Sequence, residues 1–163
     1  MIIYSDAGSN QTKFCISVGI IESDKENIII IFSKYRYSRC STVMEAIGLI
    51  KILSKSKFEE NEIIIVCDNK AIIDNLNNEN KLKNERLKGK MVNMRRLITN
   101  ENMIAIHCNF EECDRIRLCD SLCNFTKKLS KNNTKENVIY NIREYLEHSN
   151  RYKKFKNYKI EIV

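Results

Sequence analysis

The segment Ile2-Ile3-Tyr4-Ser5-Asp6-Ala7-Gly8-Ser9-Asn10 (residues 2–10) begins with apolar residues and continues into a carboxylate and a glycine. This pattern predicts a short strand over residues 1–6 that ends at Asp6 and is followed by a turn. The segment Ile63-Ile64-Ile65-Val66-Cys67-Asp68 predicts a second strand, over residues 62–67, that is likewise followed by an aspartate. An aspartate in this place can cap a turn. Two such ends in parallel strands, however, bring both carboxylates to one edge of the sheet, where α/β proteins place their sites.

The other periodic segments predict a mixed five-stranded sheet flanked by helices, an α/β fold. Further strands are expected over residues 13–22, 26–37 and 103–107. Helices are expected over residues 42–54, 70–76 and 83–97, and from Asp120 to residue 129. The order places an antiparallel meander of three strands beside parallel strands.

Two more carboxylates accompany predicted helix starts. Glu45 follows Thr42-Val43-Met44, and Asp120 begins Asp120-Ser121-Leu122-Cys123. Clustered carboxylates repel one another unless a cation neutralises them, so four of them indicate a divalent metal site with Mg²⁺ as the expected ion. Two structural alternatives remain open, because Thr42 and Glu45 have the spacing of a capping box and a first-turn aspartate complements a helix dipole.

Together the four acidic segments resemble the ribonuclease H family, type 1. Ser5-Asp6-Ala7-Gly8-Ser9 is similar to the family's Asp-Gly-Ser turn with one inserted alanine, and Met44-Glu45-Ala46 to its helix-opening glutamate. Cys67-Asp68-Asn69 is similar to its strand-end aspartate, and Cys119-Asp120-Ser121-Leu122 to the element that carries its last aspartate. The resemblance implies a ribonuclease H-like catalytic domain over residues 1–130 and leaves a basic C-terminal extension over residues 131–163. In this helical and strand extension we expect a helix capped by Thr134 and a strand over residues 158–162, where apolar and polar residues alternate.

The resemblance also implies an activity. The chain would be a metal-dependent endonuclease that hydrolyses the RNA strand of RNA–DNA hybrids with two Mg²⁺ ions, for which Mn²⁺ can substitute. Asp6, Glu45, Asp68 and Asp120 would be both the metal ligands and the catalytic residues. Two alternatives stay open: a structure-specific DNA nuclease, such as a junction resolvase or an exonuclease, on the same fold, and a non-catalytic nucleic-acid-binding module.

Polar residues beside the carboxylates are candidates for substrate binding. Gly8, Ser9, Asn10 and Asn69 could contact a phosphate or a 2′-hydroxyl group, although turn and helix-cap roles explain them equally well.

A basic segment over residues 81–96 contains seven lysines and arginines and one acidic residue, Glu85. Because a solvated helix face normally mixes signs, this imbalance favours phosphate contact. We expect Lys83, Lys88 and Lys90 to bind the hybrid, and Gly89 could break the helix.

The loop over residues 109–117 departs from the family pattern. Family members usually carry a histidine on this loop, and this chain has none there. It carries Asp114, which competes with Asp120 for the fourth carboxylate position. We favour Asp120, because Leu118, Leu122 and Phe125 form an apolar helical stripe around it.

Composition limits the remaining possibilities for this chain of 163 residues. A formal net charge of +7 beside an acidic site fits a polyanionic partner, although lysine-rich coding alone could produce it. No segment approaches the ~20 apolar residues of a membrane span, and the N-terminus is typical of a strand and not of a signal peptide. We therefore expect a cytoplasmic protein with no membrane partner.

The seven cysteines are expected to be reduced and mostly buried, because their number is odd and no export signal precedes them. Four of them crowd between residues 108 and 123, but none forms a Cys-x-x-Cys pair, which disfavours zinc. In the extension, Tyr152 and Phe155 are expected to pack on the domain and not to stack on bases.

Overall fold

The computed structural model describes residues 1–10, 14–36, 40–55, 62–78, 84–98, 102–129 and 133–163. Its strands are β1 (Ile2–Asn10), β2 (Phe14–Glu22), β3 (Asn27–Arg36), β4 (Ile63–Cys67), β5 (Met103–His107) and β6 (Lys159–Ile162). Its helices are α1 (Ser41–Lys55), α2 (Lys70–Asn78), α3 (Glu85–Leu97), α4 (Asp114–Leu129) and α5 (Lys135–His148), followed by a short 3₁₀ helix, Lys153–Phe155. No helix within these ranges has both the length and the apolar character that crossing a bilayer requires.

The strands form one mixed sheet in the order β5-β4-β1-β2-β3-β6. The β1–β2 and β2–β3 pairs are antiparallel, whereas β1–β4, β4–β5 and β3–β6 are parallel. The predicted α/β fold with a mixed sheet is confirmed, but the sheet has six strands and not five. The sixth, β6, pairs with the outer side of β3 and sets Ile160 opposite Ile29. The alternating pattern of this segment predicts a strand, but it does not indicate which strand of the sheet β6 pairs with.

Strand β1 is longer than the sequence predicts. It continues past Asp6 to Asn10, because β2 supplies backbone partners along this whole length, from Val18 opposite Asp6 to Phe14 opposite Asn10. The glycine turn expected directly after Asp6 is therefore wrong: Gly8 is a strand residue within the ladder. Residues 11–13, which join β1 to β2, lie outside the described ranges.

Two apolar cores lie on opposite faces of the sheet, because successive side chains of a strand point to opposite sides. In β3, Ile30 and Phe32 belong to the core that α1, α2 and α3 cover. Ile29 and Ile31 belong to the core beneath α4 and α5. The unbroken isoleucine run of β3 thus follows from burial on both faces, as is typical of sheets between two helical layers.

The C-terminal segment contributes to the second of these cores. Val138, Ile142 and Leu146 of α5 are buried there, as are Tyr152 and Phe155, so the packing expected for these two aromatic residues is confirmed. Aromatic and hydroxyl contacts join the segment to α4. Phe125 stacks on Tyr145 with ring centroids 4.8 Å apart, and the hydroxyl groups of Ser121 and Tyr152 are 3.1 Å apart. The division of the chain at residue 130 stays a prediction.

Candidate active site

The parallel pairing of β1 with β4 brings two of the predicted carboxylates to adjacent positions. Tyr4 lies opposite Val66, and the same offset continued by two residues sets Asp6 opposite Asp68. The pairing of β1 with β4 ends before this point, whereas β1 continues along β2. Asp6 therefore lies inside a strand, at the edge where β4 ends.

Asp6 is the centre of an electrostatic cluster. The pKa of its carboxyl group is raised to about 8, chiefly by burial and also by the charges of Asp68, Asp120 and Glu45, while a backbone hydrogen bond at Ala7 opposes the rise. These four side chains come from β1, α1, α4 and the residue that follows β4. The four carboxylates that the sequence nominates are thus close enough to interact in the folded chain.

Glu45 lies inside α1 and not at its N-terminus. The helix begins at Ser41, so Thr42 is its second residue and does not form the cap that a capping box with Glu45 requires. The Thr42 hydroxyl instead accepts a hydrogen bond from the Asn69 amide at 3.3 Å. The pKa of Glu45 is raised to about 7, chiefly by burial and also by the charge of Asp68, while a hydrogen bond from Asn69 opposes the rise. The geometry therefore favours a role at the cluster over the capping role.

Asp68 is half-buried and has a histidine beside it. Burial raises the pKa of its carboxyl group, and so does the charge of Asp120, whereas His107 lowers it. His107 ends β5 opposite Cys67, and its Nε2 atom lies 3.1 Å from the Asp68 carbonyl oxygen. Although the loop over residues 109–117 has no histidine, the site does have one, because the pairing of β5 with β4 brings His107 close to Asp68.

The fourth carboxylate of the cluster is Asp120 and not Asp114. Helix α4 begins at Asp114, so the expected helix start at Asp120 is wrong and Asp120 lies two turns inside the helix. Asp114 forms ion pairs with Lys154 at 2.5 Å, Arg117 at 3.6 Å and Arg151 at 4.0 Å. A hydrogen bond from Lys154 is the main cause that lowers the pKa of Asp114. Asp120 contributes to the charge around Asp6, whereas Asp114 is engaged with the C-terminal segment.

A short polar chain on α4 supports Asp120. The Asn124 amide nitrogen lies 3.2 Å from each oxygen of the Asp120 carboxylate, and Lys127 Nζ donates to Asn124 Oδ1 at 3.0 Å. Lys127 also covers Gly8 of β1, where an added Cβ would collide with Lys127 Nζ and lie 2.8 Å from its Cε. The sequence analysis does not nominate Asn124 or Lys127. They follow Asp120 by four and seven residues, a spacing that places all three on one face of a helix and could have indicated them.

The other residues proposed to bind substrate near the carboxylates differ in their position and surroundings. Asn69 forms the cap of α2, with its Oδ1 accepting from the Ile72 backbone at 3.3 Å, and it also donates to Glu45. Ser9 is half-buried in β1. The side chain of Asn10 lies outside the described part of the chain. Lys127 occupies the space above Gly8, so Gly8 is not open to a substrate from that side.

The basic segment is a continuous helix over the described part of its length. Helix α3 passes through Gly89 unbroken, so the expected break there is wrong, and its Leu87, Met91 and Met94 are buried. Lys88 is exposed and 3.7 Å from Glu85, and Lys90 is half-buried. Lys83 lies outside the described ranges.

The chemistry of the cluster suits a divalent cation. Carboxylate oxygens are the ligands that Mg²⁺ prefers, and a cation would offset the burial and repulsion that raise the pKa values of Asp6, Glu45 and Asp68. Among the described residues, no three His, Cys, Asp or Glu side chains come close enough together to hold one ion. Mg²⁺ in proteins is commonly bound by one or two carboxylates, with water and substrate phosphates as its other ligands. The cluster fits that open mode and not a closed protein cage.

The prediction that most of the cysteines are buried is confirmed. Four of the seven are buried and three are half-buried, and the structure shows no disulfide between them. Burial raises the thiol pKa of Cys119 and Cys123, which belong to the core beneath α4. Within the described ranges the grouping that zinc requires is not formed.

Known proteins resemble this chain in structure and not in sequence. No protein family model and no curated protein matches the sequence. The crystal structure of RNase H1 from the halophilic archaeon Halobacterium salinarum NRC-1 matches with a TM-score of 0.62 and 18% identity, over 76% of this chain and 93% of that chain.

LC11-RNase H1, isolated from compost by a metagenomic approach, matches with a TM-score of 0.62 and 19% identity, over 80% of this chain and 97% of that chain. The same enzyme in complex with an RNA/DNA hybrid matches with a TM-score of 0.61 and 19% identity, over 80% and 99% of the two chains. At such low identity these likenesses concern the fold, and they show that this chain has a ribonuclease H-like fold.

Proposed function

We propose that this protein is a metal-dependent endonuclease that hydrolyses the RNA strand of RNA–DNA hybrids. The observation that carries the proposal is the coupling of Asp6 to Asp68, Asp120 and Glu45 at one edge of a ribonuclease H-like sheet. The likeness to LC11-RNase H1, whose structure was solved in complex with an RNA/DNA hybrid, supports the choice of substrate.

Each carboxylate has a proposed role. Asp6 and Asp68 would hold the two metal ions, Glu45 would contact one of them and read the ribose 2′-hydroxyl, and Asp120 would contact the other. No more than two of these carboxylates would bind either ion, with water and substrate phosphates as its other ligands. Two Mg²⁺ or Mn²⁺ ions, when bound, would supply an attacking water of lowered pKa and positive charge at the leaving 3′ oxygen. Asn69 orients Glu45 by its hydrogen bond, and the adjacent strands hold Asp6 and Asp68 in register.

The basic helix α3 would supply affinity and no chemistry. Leu87 and Met91 of α3 are buried in the core, whereas Arg86 and Lys88 of the same helix are exposed and Lys90 is half-buried. Such side chains contact phosphates, and contacts to phosphates carry no base sequence information. We therefore propose that the enzyme cleaves hybrids without sequence preference.

The test is a titration of cleavage with Mg²⁺ and Mn²⁺ on RNA–DNA, RNA–RNA and DNA–DNA duplexes of the same sequence. The expected result is metal-dependent cleavage of the RNA strand in the hybrid alone. Asp68→Asn is the matched control: it keeps the shape of the side chain, removes the charge that binds metal and should lose nearly all turnover.

Other outcomes would support the alternatives. Metal-dependent cleavage of branched or single-stranded DNA in place of the hybrid would identify a structure-specific DNA nuclease. Hybrid binding without cleavage at any metal concentration would identify a non-catalytic module. Equal turnover by wild type and Asp68→Asn at saturating Mg²⁺ would remove Asp68 from the site.

A further inference from the structure

The loop between β5 and α4 begins and ends with a cysteine. Cys108 follows the last residue of β5, and Cys113 precedes the first residue of α4. Between them the Glu112 N–H donates to the Asn109 carbonyl oxygen at 3.0 Å, which closes a tight turn. The two residues that flank this turn are therefore held side by side.

Backbone bonds fix each cysteine to a regular element. The Cys108 N–H donates to the Cys67 carbonyl oxygen at 3.1 Å, which continues the pairing of β5 with β4. The Cys113 carbonyl oxygen accepts from the Arg117 N–H at 3.0 Å, within the first turn of α4. Because both anchors are hydrogen-bonded, the approach of the two side chains does not depend on an unsupported loop.

The two thiols are free, half-buried and hydrogen-bonded to each other. This distinguishes them from Cys119 and Cys123, which are fully enclosed in the core and have no access to a reagent. Burial raises the pKa of the Cys108 thiol, and so does the sulfur of Cys113. The Cys108 thiol is consequently protonated at neutral pH, and its reaction with an oxidant should become faster as the pH rises.

We propose that Cys108 and Cys113 are a redox modification site, at which a low-molecular-weight disulfide converts the two thiols into an intramolecular disulfide. One of the two thiols loses its proton, and its sulfur attacks the small disulfide, forms a mixed disulfide and releases one small thiolate. The second cysteine then loses its proton, attacks the protein sulfur of the mixed disulfide and releases the other small thiolate. The protein loses two electrons and two protons, and the small disulfide becomes two small thiols.

The cross-link would close a loop of six residues. One end lies beside the carboxylate cluster, because Cys108 follows His107, whose Nε2 atom lies 3.1 Å from the Asp68 carbonyl oxygen. The other end precedes Asp114, which pairs with the C-terminal segment. Since a cross-link restricts the unfolded chain, the oxidised protein should melt about 5 °C above the reduced protein. The inference concerns the fold around this loop and does not depend on nuclease activity.

The experiment treats the full chain with oxidised glutathione at pH 8, blocks the remaining thiols and cleaves the protein with a protease specific for glutamate. Cleavage after Glu111 or Glu112 separates Cys108 from Cys113, so only a disulfide keeps the two fragments joined. The expected result is a joined pair that dithiothreitol separates, together with the higher melting temperature. Cys40→Ser, which removes another half-buried thiol, is the matched control and should behave as wild type.

Cys108→Ser and Cys113→Ser should each lose both the cross-link and the shift in melting temperature. Separate fragments from oxidised wild type would overturn the proposal, and so would a cross-link to any other cysteine. Stable glutathione adducts at Cys108 or Cys113 in place of the internal bond would overturn it as well. The mapping on wild type is decisive even if a serine variant folds poorly.

Discussion

Replacement of Asp6 by asparagine should stabilise the folded protein at neutral pH while it abolishes hybrid cleavage. Asparagine keeps the shape of the side chain and carries no charge. The pKa of Asp6 is about 8 in the folded chain, against an ordinary value of 3.8. Between these two values the folded wild type retains a proton that the unfolded chain releases, so the free energy of unfolding falls as the pH rises.

The size of the effect follows from this one proton. Over the two pH units from pH 5 to pH 7, the wild type should lose about 2.7 kcal/mol of unfolding free energy relative to Asp6→Asn, at ~1.36 kcal/mol per unit. Glu45, with a pKa of about 7, titrates in both proteins, so its contribution largely cancels in the difference.

The assay is urea denaturation of both proteins at pH 5, 6 and 7 in the presence of a chelator, followed by a repeat at pH 7 with Mg²⁺. The advantage of Asp6→Asn should increase with pH. Mg²⁺ at 100 times its dissociation constant should stabilise the wild type by ~2.7 kcal/mol and the variant much less. Asp114→Asn is the control: because the pKa of Asp114 is lowered, Asp114 is ionised throughout this range and the difference should be constant. A difference between Asp6→Asn and wild type that does not change with pH would refute the reasoning.

Glu45→Gln should lose most hybrid cleavage with little change in melting temperature, because glutamine keeps the shape and removes the charge; unchanged cleavage in a steady-state assay would assign Glu45 a structural role. Replacement of Lys83, Lys88 and Lys90 together by glutamine should weaken hybrid binding and lower the salt slope by about one for each phosphate contact removed, with cleavage at saturating substrate unchanged. Binding isotherms at several salt concentrations check this, and a wild-type slope would indicate an ordinary solvated face. Asp114→Asn should lower the unfolding free energy by about 1 kcal/mol or less and leave cleavage intact, because it removes partly exposed ion pairs; loss of cleavage at unchanged melting temperature would make Asp114 the fourth carboxylate.

The sequence predicts most elements of this fold, because apolar periodicity reports burial directly. The run of residues 63–67 and the run of residues 103–107 are strands with almost the expected bounds. The errors occur where tertiary contacts extend an element. Strand β1 continues to Asn10 because β2 pairs with it, and α4 begins at Asp114, whose ion pairs reach Lys154 of a distant segment.

The four carboxylates could be nominated from the sequence, because each stands beside a recognisable strand or helix. The residues around them could not. His107 reaches Asp68 only through the pairing of β5 with β4, and Lys127 lies over Gly8 only because α4 packs on β1. Both contacts depend on distances between elements, which local patterns do not encode.

The parallel pairing of β6 with β3 makes the nascent chain prone to aggregation until its last segment has been synthesised. The ribosome completes β3 roughly 120 residues before β6. Until then the isoleucine-rich β3 has an unpaired edge, and Ile29 and Ile31 lack the cover that Phe155 and Ile160 provide. Exposed apolar edges of this kind pair with other chains and aggregate. Nascent chains that stall before residue 159 should therefore accumulate in inclusion bodies, and slow translation of the last segment should reduce the yield of folded protein.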